Sequence, residues 1–187
     1  MMTEIRISGY GGQGVIRCGY IIGKAASLYD NKYATMTQSF GPEARGSACS
    51  SQVLVSEDKI LYPYVTIPHI LVAMSQEAYT KFSTQLDKNG ILIIDEDLVT
   101  PEQTRDNIKT YSIPSTRFAE EMGAKIVANI VMLGFFNAIT GVVSPEAVKK
   151  AVSSSVPSRL VDLNLKAFDK GYQFGQEIKE ASKVEKV

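Results

Sequence analysis

Ile5 and Ile7 alternate with polar neighbours from Glu4 to Ser8 before the chain enters Gly9-Tyr10-Gly11-Gly12-Gln13-Gly14. Strict alternation predicts a half-buried strand, and the glycine run ends it. Val15, Ile16, Gly19, Tyr20, Ile22 and Gly23 then recur at helical spacing, predicting a helix to about Tyr29 that stops at Asp30-Asn31. Tyr33–Ser39 and Ala48–Val55 read as further strands, with Cys49, Ser51, Val53 and Val55 sharing one face of the second. The connection from Phe40 to Ser47 is too short for a crossover helix, so these two strands are expected to form an antiparallel hairpin.

Farther on, His69–Met74 and Ile91–Asp95 are apolar without alternation, as in central parallel strands covered on both faces. Gln76–Leu86 between them predicts a helix, and Thr110–Ile113 a last short strand. From Ser115 the spacing turns helical, over Ser115–Met122, Lys125–Thr140, Pro145–Ser154 and Arg159 to about Ser182, with Ser144-Pro145 placing serine at an N-cap and proline at N1. Lys125–Ile139 is apolar nearly all round, which predicts burial in the domain core in preference to cover by a neighbouring subunit. The pattern gives one α/β domain over 1–187, strands first and helices packed on the sheet, with a polar tail at 178–187 expected to fray.

Composition narrows the function. Twenty basic residues balance twenty acidic ones, so the positive footprint of a protein that wraps nucleic acid or lies on a membrane is missing. The start lacks a basic segment followed by an apolar one, and the longest apolar stretch is broken by Asn129, Gly134 and Asn137, which points to a cytoplasmic protein. Two cysteines, Cys18 and Cys49, and one histidine, His69, fall short of a zinc or iron–sulfur ligand set. Redox chemistry is therefore expected on a partner or a bound cofactor. The cysteines read as small buried hydrophobes, and His69 as a surface or strand-end imidazole. No residue stands out as a general acid, base or nucleophile.

Two loops carry the candidate chemistry. Gly11, Gly12, Gln13 and Gly14 sit between a strand and a helix N-terminus, where free amides and the helix dipole favour an anion. The dinucleotide fingerprint also needs an acidic residue at the end of the second strand, yet that strand ends at Thr37-Gln38-Ser39. The bland alternative is that the glycines only permit positive φ and close helix–strand approach. The second loop, at the hairpin tip, contains Gly41, Pro42, Glu43, Arg45 and Gly46; Arg45 could fork onto a carboxylate or phosphate, or it could form a solvated local pair with Glu43.

With both loops in view, the sequence resembles the gamma subunit of the 2-oxoacid:ferredoxin oxidoreductases. Gly9, Gly11, Gly12, Gln13, Gly14 and Val15 match a G-x-G-G-Q-G-V opening, and Gly41, Pro42, Glu43, Arg45 and Gly46 match a G-P-E-x-R-G-G loop. ILVAMSQEAY, GILIIDEDLV and KIVANIVMLG look like later family segments, so the likeness extends to about Ile139. Ser47 departs from the second glycine of the loop, and His69 from an often acidic position.

The resemblance implies a three-layer α/β/α, Rossmann-like fold with a mixed, mainly parallel sheet, an antiparallel hairpin and a helical C-terminal part. It implies a supporting chain in a multi-subunit enzyme that oxidatively decarboxylates a 2-oxoacid with CoA as co-substrate. By its separate, short chain, 2-oxoglutarate is preferred to pyruvate. Thiamine diphosphate, Mg and iron–sulfur clusters would lie on the alpha, beta and ferredoxin-like delta partners, with ferredoxin or flavodoxin as acceptor and none of these cofactors held by this chain alone. Gly11, Gly12, Gln13, Gly14, Gly41, Glu43 and Arg45 would then face CoA or a subunit interface. Homodimerisation stays open, as does a competing reading as a stand-alone nucleotide- or flavin-binding protein.

Overall fold

A computed structural model describes residues 2–40, 48–102 and 107–184. In chain order the elements are β1 (Met2–Tyr10), α1 (Val15–Tyr29), β2 (Tyr33–Ser39), β3 (Ala48–Ser56), β4 (Ile70–Ala73), α2 (Gln76–Phe82), β5 (Ile91–Asp95), β6 (Lys109–Ile113), α3 (Ser115–Glu121), α4 (Ala128–Thr140), α5 (Pro145–Ser153) and α6 (Val161–Val184).

The strands form one six-stranded sheet in the order β2-β3-β1-β4-β5-β6. β1, β4, β5 and β6 pair in parallel, and β3 lies antiparallel between β1 and β2, in register Ile5 against Val53 and Met36 against Val53. The expected hairpin is therefore present, and the sheet is mixed. Leaving β1, the chain crosses by α1 to one side of the sheet; leaving β4, it crosses by α2 to the other. Reversal of direction between β1 and β4 creates a switch point at the carboxyl ends of these two strands, the usual ligand position in open α/β sheets.

The helical layers are unequal. On one face Ile5, Ile7, Val53, Val55, Val72 and Ile93 meet Ile21 and Ile22 of α1, Val131 and Phe135 of α4, and Phe168 of α6. On the other, Leu71, Leu92 and Ile94 pack on Ala78, Tyr79 and Phe82 of α2 and on Leu86. Each such large side chain contributes roughly 1.5–3 kcal/mol by leaving water. Residues Asn129–Ile139 of α4 are all buried, which assigns that helix to the core. α4 and α6 approach so closely that a Cβ on Gly134 would overlap the Phe168 carbonyl, and one on Gly171 the Val131 carbonyl.

Three expected helix boundaries shift by a turn. α2 ends at Phe82 and continues as a 3₁₀ turn, Ser83–Gln85; α4 is entered through 3₁₀ residues Lys125–Val127, and α6 through Ser158–Leu160. Tighter i→i+3 bonds are a common way to satisfy helix-end groups. α6 continues through Val184, and Lys179 Nζ donates to the Ala138 carbonyl at 3.0 Å. His69 is exposed immediately before β4, its Nδ1 accepting the Glu4 N–H at 3.0 Å. Both cysteines are buried and free of disulfides.

Candidate functional site

The glycine loop occupies the switch point. Gln13 N donates to the Tyr10 carbonyl at 3.1 Å, closing a tight turn. Its side chain folds back, so that Oε1 accepts the Tyr10 N–H at 2.6 Å while Nε2 donates to the Met74 carbonyl at 2.7 Å. Met74 N in turn donates to the Ser8 carbonyl at 2.8 Å. One amide side chain thereby ties the β1–α1 loop to the β4–α2 loop across the crevice. A dinucleotide pyrophosphate would need that space, and β2 carries no carboxylate for a ribose.

Gly14 is the N-cap of α1 at φ 75°, a left-handed conformation that Cβ-bearing residues rarely adopt. A Cβ there would also collide with the Asn129 side chain, whose Nδ2 lies 3.4 Å from the Gly14 carbonyl. The Asn129 carbonyl accepts the Cys18 thiol at 3.3 Å. The loop is thus docked on the first turn of α4, which explains the polar residue at position 129. Gly12, at φ 101°, has open space around it.

Among the described residues three depressions meet at Gly12. The largest, about 840 Å³, runs between α1 and the end of β2 and is lined by Gly11, Gly12, Gly14, Arg17, Tyr20, Thr37, Gln38, Phe40 and Cys49, among others. A second of about 240 Å³ lies between Gly12, Arg17, Ile126 and Leu160. A third of about 320 Å³ lies between Gln13, Leu98, Thr116 and Ile126. Two large apolar side chains stand exposed on the rim, Phe40 at 65% and Ile126 at 85%.

Arg17 is the residue that reading the loops alone misses. It is exposed, lines two of the depressions and forms no ion pair among the described residues. It occupies the third position of α1, whose first turn holds no acidic residue. A cation there opposes the helix dipole, so an anion beside it would relieve both. The spacing Gly14 to Arg17 was the available signal.

Gly11, Gly12, Gln13 and Gly14 are brought together at this site, whereas Gly41, Glu43 and Arg45 lie outside the described residues. Cys49 is nearly buried in the wall of the large cleft, and burial pushes its thiol up from the ordinary range. Burial pushes the Cys18 thiol up to about 12, so it is no nucleophile. Among the described residues no group of three His, Cys, Asp or Glu could hold a metal ion, and no helix is long and apolar enough to cross a membrane.

Residues 4–174 match the family described as pyruvate ferredoxin/flavodoxin oxidoreductase. The chain is 48% identical to 2-oxoglutarate synthase subunit KorC of Methanocaldococcus jannaschii, over 95% of this chain and 96% of that one. It is 31% identical to pyruvate synthase subunit PorC of the same organism, over 91% and 96%. The crystal structure of a keto/oxoacid ferredoxin oxidoreductase gamma subunit from Geobacter sulfurreducens superposes with TM-score 0.83 at 45% identity, covering 92% of this chain and 98% of that one. These relatives are subunits of enzymes, so the reading as a stand-alone nucleotide- or flavin-binding module is not favoured. The chain belongs to the pyruvate ferredoxin/flavodoxin oxidoreductase family and is a gamma-type subunit of a multi-subunit oxidoreductase.

Proposed function

We propose that this chain is the gamma subunit of a cytoplasmic 2-oxoglutarate:ferredoxin oxidoreductase and that its large cleft seats the anionic part of CoA. The enzyme would convert 2-oxoglutarate, CoA and oxidised ferredoxin into succinyl-CoA, CO2 and reduced ferredoxin. The preference for 2-oxoglutarate over pyruvate rests on 48% against 31% identity to the two subunits of one organism. Thiamine diphosphate with Mg, and iron–sulfur clusters, would be carried by alpha, beta and delta partners, where they supply the carbanion and electron-transfer chemistry.

The observation that carries the CoA assignment is Arg17 in the first turn of α1, without an ion pair among the described residues and lining a cleft of about 840 Å³ together with Gly12 and Gly14. A guanidinium beside helix N-terminal amides suits a pyrophosphate. Tyr20 and Phe40 offer apolar faces for the rest of the ligand. Arg45 is proposed to supply a second cation to the same anion. Gln13 would act indirectly by holding the loop, so it is a positioning residue.

The experiment is anaerobic purification of the complex through this chain, followed by CoA-dependent dye reduction with 2-oxoglutarate and with pyruvate. A brown complex turning over 2-oxoglutarate in preference to pyruvate supports the reading. Turnover of pyruvate alone would overturn the substrate, and unchanged CoA dependence in both Arg17→Ala and Arg45→Ala would overturn the CoA site.

A further inference from the structure

Beside the large cleft, on the outer side of α1, lies a groove that none of the described residues fills. It measures about 250 Å³ and is lined by Tyr20, Gly23, Lys24, Leu28, Ala34 and Met36, along the free edge of β2. Four features of it are unusual for a surface that meets only water.

First, Tyr20, Gly23, Lys24, Ser27 and Leu28 fall at helical spacings of three and four, a stripe on the face of α1 opposite its buried one. Tyr20 is 53% exposed and Leu28 66%. Second, Gly23 sits in the middle of a helix, where glycine is unfavourable, and it has no positive φ. Among the described residues, a Cβ at that position would meet nothing within 4 Å beyond its own helix backbone and chain neighbours, so no tertiary contact there demands glycine. Gly19, one turn earlier, differs: a Cβ there would crowd the Ser51 side chain.

Third, β2 is an edge strand with the sequence YATMTQS. It has no charge and no proline, two of the common devices by which proteins protect a sheet edge. Fourth, its centre is symmetric. In an antiparallel pairing of two such strands about Met36, Thr35 of one, whose hydroxyl donates to the Pro63 carbonyl at 3.3 Å and can still accept, would oppose Thr37 of the other, and cross-strand threonine pairs are favourable. A strand edge is completed by a strand, and the symmetric Thr-Met-Thr centre makes a second copy of β2 a fitting one. Lys24 is tied back onto its own chain, its Nζ donating to the Ser154 carbonyl at 3.0 Å and lying over the Tyr20 ring, which leaves a cation on each copy whose mutual repulsion salt would screen.

We infer that this face joins two copies of the chain through an isologous interface, β2 pairing with β2 across a twofold axis and the two α1 stripes meeting at Gly23. The sheet would then run on through both copies, and Gly23 would let the helices come close. The arrangement would also place the two CoA clefts on either side of the axis.

The test is analytical ultracentrifugation of the full chain across a concentration series, with hydrogen exchange of β2 amides read in parallel. A species of twice the 20.5 kDa chain mass is expected, with β2 exchange slowing as it forms. Gly23→Gln, a good helix former in open space, and Leu28→Lys should each weaken dimerisation about tenfold or more, equivalent to about 1.4 kcal/mol, while each variant still melts cooperatively. A monomer at every concentration overturns the inference, as does a dimer indifferent to both substitutions. So does a monomer whose two variants instead lose a different subunit of the complex, since the face would then belong to that partner.

Discussion

Gln13 and Met74, on loops sixty-one residues apart in sequence, are joined by a 2.7 Å bond from the Gln13 side-chain amide to the Met74 carbonyl. The same amide accepts from Tyr10 N, so a single side chain spans the place where an open α/β sheet usually admits a cofactor. The glycines around it gain a second purpose. A Cβ on Gly9 would occupy the space of Gln13 Oε1, so the loop is shaped to hold an amide as well as to expose its own N–H groups.

Replacing that amide gives the first prediction. Gln13→Ala removes the partner of the buried Met74 carbonyl and should cost about 1–3 kcal/mol in urea unfolding. Gln13→Glu keeps the size but turns a donor into an acceptor facing another acceptor. It should be less stable than Gln13→Ala at pH 7; the unfavourable contact raises its folded-state pKa above the ordinary glutamate value, so stability should recover as pH falls from that raised value and the recovery should be complete by about pH 4. Equal stability of the two variants at both pH values would show that the bridge contributes nothing.

The contact between α4 and α6 supports the second. A Cβ at Gly134 or Gly171 would meet carbonyl oxygens of the facing helix backbone, which no rotamer change relieves. Gly134→Ala should cost about 3 kcal/mol or more, visible as a large loss of melting temperature or of soluble protein. A loss below about 1 kcal/mol would mean the helices separate easily.

The third concerns Cys18. Its thiol is raised from 9.0 to about 12 by burial, so above pH 9 the unfolded chain loses a proton that the folded chain keeps. With more protons bound when folded, stability must fall as pH rises from about 9 to 12, at up to about 1.4 kcal/mol per pH unit for one group. Cys18→Ala should flatten that descent relative to the wild type in alkaline denaturation. In the native chain at pH 8, thiol reagents should leave Cys18 unmodified.

These tests bear on how far sequence alone reaches. Alternation in β1 and unbroken apolar runs in β4 and β5 reflect burial on one face and on two, so strand type and parallel pairing were legible. The short connection after Phe40 gave the antiparallel β2–β3 pair. The position of β3 between β1 and β2 was not legible, because that choice is made by packing of Val53 and Val55 under α1 and leaves no local mark. Helix ends at Ser83, Lys125 and Ser158 shifted because end carbonyls and amides settle into i→i+3 bonds that periodicity cannot reveal. Gln13 was visible as a residue capable of donating and accepting, but its targets are set by tertiary structure.

Arg17 carries the last prediction. It stands in the first turn of α1 and lines the cleft without a carboxylate partner among the described residues, so an anion seated there would gain a charge-assisted bond from it. Hydrogen bonds to charged groups are worth about 1.5–3 kcal/mol. Arg17→Ala should therefore raise the KM for CoA about tenfold to a hundredfold. kcat at saturating CoA should change little, because the reacting thiol lies at the other end of the co-substrate. Arg17→Lys should recover part of the loss, a point charge replacing a fork. The effect on KM should shrink with added salt, since the cleft opens to solvent. A variant that lowers kcat with KM unchanged would place Arg17 in assembly or in gating, and the anion site would have to be sought elsewhere on the rim of Gly12.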